Sequence, residues 1–322
     1  MYGAHLVAAG QLGIGELVTS LLIATTLVFR IEGIGRVMQT FADARASAER
    51  IWQLLDEPPA IRSGSARLPD SALGLKLEQV SVSAPGGGLN ILDQCSLTLQ
   101  PGEIVALVGA TGTGKSLLAS LLPRLSDISA GRLLLGSDSA GWHDIRQLDL
   151  SELRRRVHVV PQESFLFSDT LAANLRLCAP QASDEQLRHG LRLAAAEDVL
   201  ERLPQGLATP LGDRGVTLSG GQRQRLSLAR ALLGTPDILC LDDATSALDA
   251  ISERQVLNNI RQLRRDQGRA TTLLVISSKL STILLADRVL MLQHGKIAAS
   301  GTHAELLHSN PDYRDLLGID HG

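Results

Sequence analysis

Gly109-Ala-Thr-Gly-Thr-Gly-Lys115-Ser116 is the stretch on which the fold of this chain turns. It satisfies GxxxxGK[ST]. A short apolar run from Glu103 to Val108, read as a strand, leads in, and Leu117 to Leu122, read as a helix, leads out. Glycines in such a loop let successive backbone N–H groups curl round a phosphate, and the helix start adds its positive dipole end. Lys115 can then reach the β- and γ-phosphates of a nucleotide, and the Ser116 hydroxyl can ligate Mg²⁺. Ala110, Thr111, Gly112, Thr113, Gly114 and Leu117 complete the candidate cradle. A glycine-rich loop alone is a weak signal; the full motif between a strand and a helix is a strong one.

Two further stretches fit the same chemistry. Ile238-Leu-Cys-Leu-Asp242-Asp243 is an apolar strand ending in carboxylates, as needed to hold Mg²⁺ through Asp242. Its bland alternative is a pair of acids capping a helix at Ala244. Leu218-Ser219-Gly220-Gly221-Gln222, sixteen residues before that strand, opens an Arg-rich helical run (Arg223, Arg225, Arg230) and offers a second anion-binding helix start. As a bare pentapeptide it could be an ordinary loop.

Outward to the N-terminus the pattern changes. Leu6 to Phe29 carries one charge, Glu16, and the spacing predicts a membrane-crossing helix, for which about 20 apolar residues suffice. A buried helix of a soluble protein is the alternative. Ile34, Val37, Met38, Phe41, Ala44, Ala48 and Ile51 keep a helical apolar face, so the same helix is expected to run into water as far as Leu55. Pro58, Pro59 and Pro69 mark a linker over residues 56–74. Beyond it, Leu75–Ser83 and Leu92–Leu99 read as strands, and alternating helical and strand patterns predict an α/β domain with a mainly parallel sheet.

Composition limits the function. A net charge of −3 and eight aromatic residues, none between Trp52 and Trp142, exclude a base-stacking nucleic-acid surface, which needs a basic face and aromatic platforms. Cys95, Cys178 and Cys240 are scattered without CxxC pairing, which argues against a thiolate zinc site and for a reducing compartment.

Together these residues resemble the nucleotide-binding domain of an ABC transporter. Gly109–Ser116 resembles its Walker A, Leu218–Gln222 its signature, Asp242 the end of its Walker B, and Ser246-Ala-Leu-Asp249 its D-loop. Gln162, in Val160-Pro-Gln-Glu163, resembles the Q-loop residue that meets Mg²⁺ and the attacking water. Residues 1–55 resemble the end of a type I exporter's transmembrane domain, and residues 75–318 its cassette. The resemblance implies a P-loop NTPase (RecA-like) α/β core, with an antiparallel β subdomain and an α-helical signature subdomain. It also implies ATP and Mg²⁺ as cofactors, a second half-transporter as partner, a lipid bilayer round the first helix, and a small molecule, lipid or peptide as cargo. The expected location is the cell membrane with the cassette in the cytoplasm. Ser219, Gly220, Gly221 and Gln222 would close on the partner's nucleotide. Phe165-Leu-Phe167-Ser168 resembles the surface that receives a coupling helix; a Phe pair in a core strand is the alternative.

Three departures stand against that pattern. Asp243 occupies the place of the family's catalytic glutamate, and is one methylene shorter. Ser278 occupies the place of its γ-phosphate histidine; adjacent Lys279 is expected to point elsewhere. Ala84 stands where its adenine-stacking aromatic would fall, in Val80-Ser-Val-Ser-Ala84-Pro85. Asp243, Gln162 and Ser278 are therefore the candidate catalytic residues, and Ser116, Gln162 and Asp242 the candidate metal ligands. The expectation is an ATP-binding exporter subunit whose own site hydrolyses poorly and whose intact signature serves a partner in a heterodimer. The competing readings are a soluble ABC ATPase outside transport and a non-catalytic nucleotide-sensing subunit.

Overall fold

The computed structural model describes residues 1–84, 86–212, 218–266 and 270–319, in two compact units, Met1–Ala60 and Ile61–Gly322. The first unit holds helix α1 (Tyr2–Ala8) and helix α2 (Ile14–Asp56). With 43 residues, α2 is about 65 Å long at 1.5 Å per residue. By length and composition it can cross a membrane: an 18-residue window has mean hydropathy 1.7 and no buried residue. Thr19, Ser20, Thr25 and Thr26 each donate their hydroxyl to the carbonyl four residues back at 2.8 Å, so the apolar stretch hides its own polar groups.

The expected apolar helix from Leu6 onward is broken. Gly10 turns the chain at φ +70°, and the Glu16 carboxylate accepts the Gly13 N–H at 2.9 Å, so α2 starts at Ile14 with the segment's one charge spent on its cap. From there it runs unbroken one residue past Leu55. It stops where Glu57 turns extended before Pro58, as a residue preceding proline is pressed to do.

The second unit carries two sheets. Strands β1 (Gly74–Ser83), β2 (Asn90–Leu99), β4 (Ala130–Ser137) and β5 (Gly141–Asp144) form an antiparallel sheet in the order β2-β1-β4-β5. Strands β3 (Ile104–Val108), β6 (Val157–Val160), β7 (Ile238–Asp242), β8 (Thr272–Ile276), β9 (Arg288–Gln293) and β10 (Lys296–Gly301) form the other, in the order β10-β9-β3-β8-β7-β6. Only the β9/β10 pair in it is antiparallel. Every residue of β3, β7 and β8 is buried, which is why these strands read as unbroken apolar runs rather than alternating ones.

Helix α3 (Lys115–Leu121) follows β3 and contacts β7; α4 (Leu150–Arg156) leads into β6. A helical layer of α5 (Leu171–Arg176), α6 (Asp184–Leu193), α7 (Glu197–Arg202) and α8 (Gly220–Leu233) packs round a second apolar core with Leu171, Leu187, Leu226 and Leu239 inside it. Helices α9 (Ala250–Asp266), α10 (Leu280–Ile283), α11 (His303–Ser309) and α12 (Pro311–Leu316) complete the unit. Part of the proline-bearing stretch is tied down: the buried Arg156 guanidinium donates to Pro69 O at 2.7 Å and Ser71 O at 3.0 Å, and pairs with Asp237 at 2.5 Å. Gly64 passes so close to Gln147 that a Cβ would lie 2.0 Å from its carbonyl oxygen.

Candidate functional site

The loop after β3 is built round glycines that no other residue replaces cheaply. A Cβ on Gly109 would lie 2.4 Å from Leu292 O. Gly112 and Gly114 sit at φ +83° and +101°, a backbone region that L-residues with side chains rarely adopt. Gly114 caps α3, so Lys115 and Ser116 open that helix. The Lys115 ammonium curls back over the loop, donating to Gly109 O at 2.7 Å and Ala110 O at 2.8 Å. Burial lowers its pKa, while Asp243 and Asp242 pull it back up. A cation held inside a ring of backbone groups, flanked by two carboxylates, fits a magnesium-bound polyphosphate.

Asp242 ends β7 and is 7% exposed. No helix begins at Ala244: the chain turns through 244–248 and α9 starts at Ala250. Asp243 is held at φ +50°, its N–H donating to Ile276 O at 2.9 Å and its carbonyl accepting the Ser246 N–H at 3.0 Å. Its pKa is raised, first by burial and then by Asp242; Lys115 and Lys279 oppose the rise. The β7–β8 register sets Asp242 beside Ile276, so the Asp243 turn and the Ser277–Ser278 segment leave the sheet side by side. Ser278 is exposed there. Lys279 donates to Thr245 O at 2.8 Å and Leu248 O at 3.4 Å.

The remaining candidates gather at a different place. Ser219 caps α8: its hydroxyl accepts the Gln222 N–H at 3.3 Å and the Gln222 side chain accepts the Ser219 N–H at 2.8 Å, a closed capping box. A Cβ on Gly221 would lie 2.7 Å from Ala247 O, so glycine is what lets α8 start against the 246–249 turn. Gln162 and Gly220 line one cavity of about 550 Å³ together with Gln224 and Ala247. Among the described residues no hydrogen bond or ion pair joins Gly109–Ser116 to Ser219–Gln222. Phe165 and Phe167 are 45% and 51% exposed and meet edge to face at 4.9 Å, so they belong to no core strand.

Sequence reasoning missed Gln224. Buried in α8, it accepts the Ala247 N–H at 3.0 Å and donates to Ser246 Oγ at 3.1 Å and Gln162 O at 3.4 Å. No signal in the sequence marks it: at helical spacing its neighbours are Gly220, Gly221, Ser227 and Leu228. Ala84 is half-buried at the end of β1, and its N–H donates to Leu89 O at 2.9 Å; Pro85 lies outside the described residues. Gly86, Gly87 and Gly88 carry the turn, with no aromatic ring in it.

The donor set suits Mg²⁺ in company with phosphates. Among the described residues no cluster of three or more His, Cys, Asp and Glu side chains forms a metal cage, whereas Mg²⁺ in nucleotide sites takes one or two protein ligands and substrate oxygens. Ser116 and Asp242 are residues of that kind.

Residues 92–246 match the family model described as ABC transporter. Over 316 residues the chain is 36% identical to the multidrug resistance-like ATP-binding protein MdlA of Escherichia coli (strain K12), covering 98% of this chain and 52% of that protein. It is 40% identical over 314 residues to the ATP-dependent lipid A-core flippase of Ralstonia nicotianae, covering 97% and 52%. The solved structure of a bacterial Atm1-family ABC exporter with ATP bound superposes at a TM-score of 0.80 and 30% identity, covering 98% of this chain and 55% of that one. The chain thus spans about half the length of the curated relatives it matches. Fold, motif order and relatives agree: residues 92–246 are an ABC transporter ATP-binding domain, and the chain as a whole is similar to the cassette-bearing half of exporters of that family.

Proposed function

We propose that this chain is the ATP-binding part of a membrane exporter half that pairs head to tail with a second half, binds ATP at Lys115, and hydrolyses it slowly at that site. The observation that carries this reading is the Asp243 turn. Its backbone is pinned at φ +50° by the bond to Ile276 O, so a side chain one methylene short has little freedom to make up the reach. The shortfall is about 1.5 Å, where a general base must stand roughly 2.6–3.2 Å from its proton. A misplacement of about 1 Å costs on the order of a hundredfold in rate.

The Lys115 ammonium and the loop amides bind the phosphates; Ser116 and Asp242 would hold Mg²⁺, and Gln162, which lines the cavity beside Gly220, would join them when nucleotide closes the site. When bound, Mg²⁺ neutralises charge on the β- and γ-oxygens. Asp243 orients the water and takes its proton. Ser278 offers one hydroxyl hydrogen bond and no charge. Ser219, Gly220, Gly221 and Gln222 close the partner's nucleotide, where hydrolysis is faster, and α2 is one of the membrane-crossing helices.

Steady-state ATP hydrolysis by the full-length protein tests this. The unmodified chain alone should be nearly inactive, and Asp243→Glu with Ser278→His should restore turnover in a self-paired form. Brisk hydrolysis by the unmodified chain alone would sink the proposal. For the membrane assignment, alkaline carbonate should leave the protein in the membrane pellet; release into the supernatant would contradict it.

A further inference from the structure

Glu253 lies in the first turn of α9, 1% exposed, in no motif named above. A buried carboxylate is costly unless its oxygens are satisfied, and here both are. One oxygen accepts the Thr245 hydroxyl at 2.7 Å and the Thr282 hydroxyl at 2.9 Å; the other accepts the Ser281 hydroxyl at 2.6 Å. The Lys279 ammonium stands 3.8 Å away. Those four partners come from two segments: Thr245 from the turn that carries Asp243, and Lys279, Ser281 and Thr282 from the stretch that follows Ser278. Lys279 closes the loop from its own side through the carbonyls of Thr245 and Leu248.

We infer that Glu253, with Lys279, is a positioning residue for the ATPase site: a buried latch that fixes the Asp243–Leu248 turn and the Ser278–Ile283 segment as one body. The inference rests on the nucleotide reading of the site and adds a residue to it. Both segments leave the sheet at the C-terminal ends of neighbouring strands, so β7 and β8 align their roots, while the latch aligns their tips. A carboxylate offers about four acceptor sites, and here three hydroxyls and an ammonium, all drawn from these two segments, fill them. A displacement of either segment must break at least one of the charge-assisted bonds, so movement at the γ-phosphate end passes to the turn that contacts α8 through Gln224.

Amide hydrogen exchange on the full-length protein, with and without MgATP, tests the latch. In Glu253→Ala, exchange should rise by about tenfold in residues 243–248 and 279–283 together, the loss expected for hydrogen bonds to a charged group, while β7 and β8 keep their protection. MgATP should protect both segments in the unmodified protein and only 279–283 in the variant. A rise confined to one segment, or equal MgATP protection of both in the variant, overturns the inference. If β7 and β8 also lose protection, Glu253→Gln takes its place: an amide keeps the Thr245 and Thr282 bonds and loses the charge facing Lys279, and the two segments must still loosen together. A protein that gains no protection from MgATP, and binds nucleotide no better than Lys115→Ala, fails the nucleotide reading. The nucleotide-free exchange pattern then still judges the latch.

Discussion

The loop at Gly109–Ser116 and the turn at Asp242–Leu248 face the same reagent and are built to different standards. In the loop, each special backbone position carries the residue it demands: glycine at +83° and +101°, and a lysine whose ammonium is already inside the ring. In the turn, the backbone is equally constrained, yet Asp243 holds a left-handed position with a short side chain, and its neighbour Ser278 brings no charge. On the proposed reading, binding asks little of side-chain reach and is kept, whereas the missing reach of about 1.5 Å at Asp243 slows the chemistry.

The comparison breaks first at Lys115. Replacing it with Ala should weaken ATP binding about 100-fold, the scale of losing charge-assisted bonds to phosphate, as read by titration with a fluorescent nucleotide. The same titration on Asp243→Asn should change little. Next, lengthening the turn's side chain and restoring charge, in Asp243→Glu with Ser278→His, should raise steady-state turnover by more than about tenfold with KM for ATP nearly constant.

A third effect concerns pH. The raised pKa of Asp243 means its carboxylate is charged only above the ordinary aspartate range, so residual turnover should fall as pH drops through that raised value. The stability sign is the reverse. A folded-state pKa above the unfolded one favours folding below the unfolded value, and that contribution is lost as pH rises through the folded one. Removing the nearby cation in Lys115→Met should move the acid limb of the turnover profile upward. The smallest effect belongs to the second anion site: Ser219→Ala removes half the capping box and should cost about 1 kcal/mol by denaturant unfolding, leaving nucleotide titration at Lys115 unchanged.

Much of this was legible in the residues. A strand running into GxxxxGK[ST] fixes a phosphate loop locally, and the apolar run Ile238–Leu241 ends on its carboxylate as read. The long helix was legible too, because Pro58 and Pro59 stop it within one residue of Leu55. Its start was not. Hydropathy counts apolar side chains and passes over the backbone at Gly10 and Gly13, where the chain turns. Gln224 and Glu253 were invisible for another reason. Each is a polar residue on a helix, and only packing of segments eight to sixty-two residues distant turns it from a solvated side chain into a buried junction. The linker's grip through Arg156 was hidden in the same way, 85 and 87 residues from its partners.

The central claim, that the Lys115 site holds ATP and does not quickly cleave it, is tested most directly by the chemical state of bound nucleotide. The full-length protein, incubated with MgATP, freed of unbound nucleotide and quenched in acid after one minute, should yield mainly ATP; ADP as the main product would contradict the account.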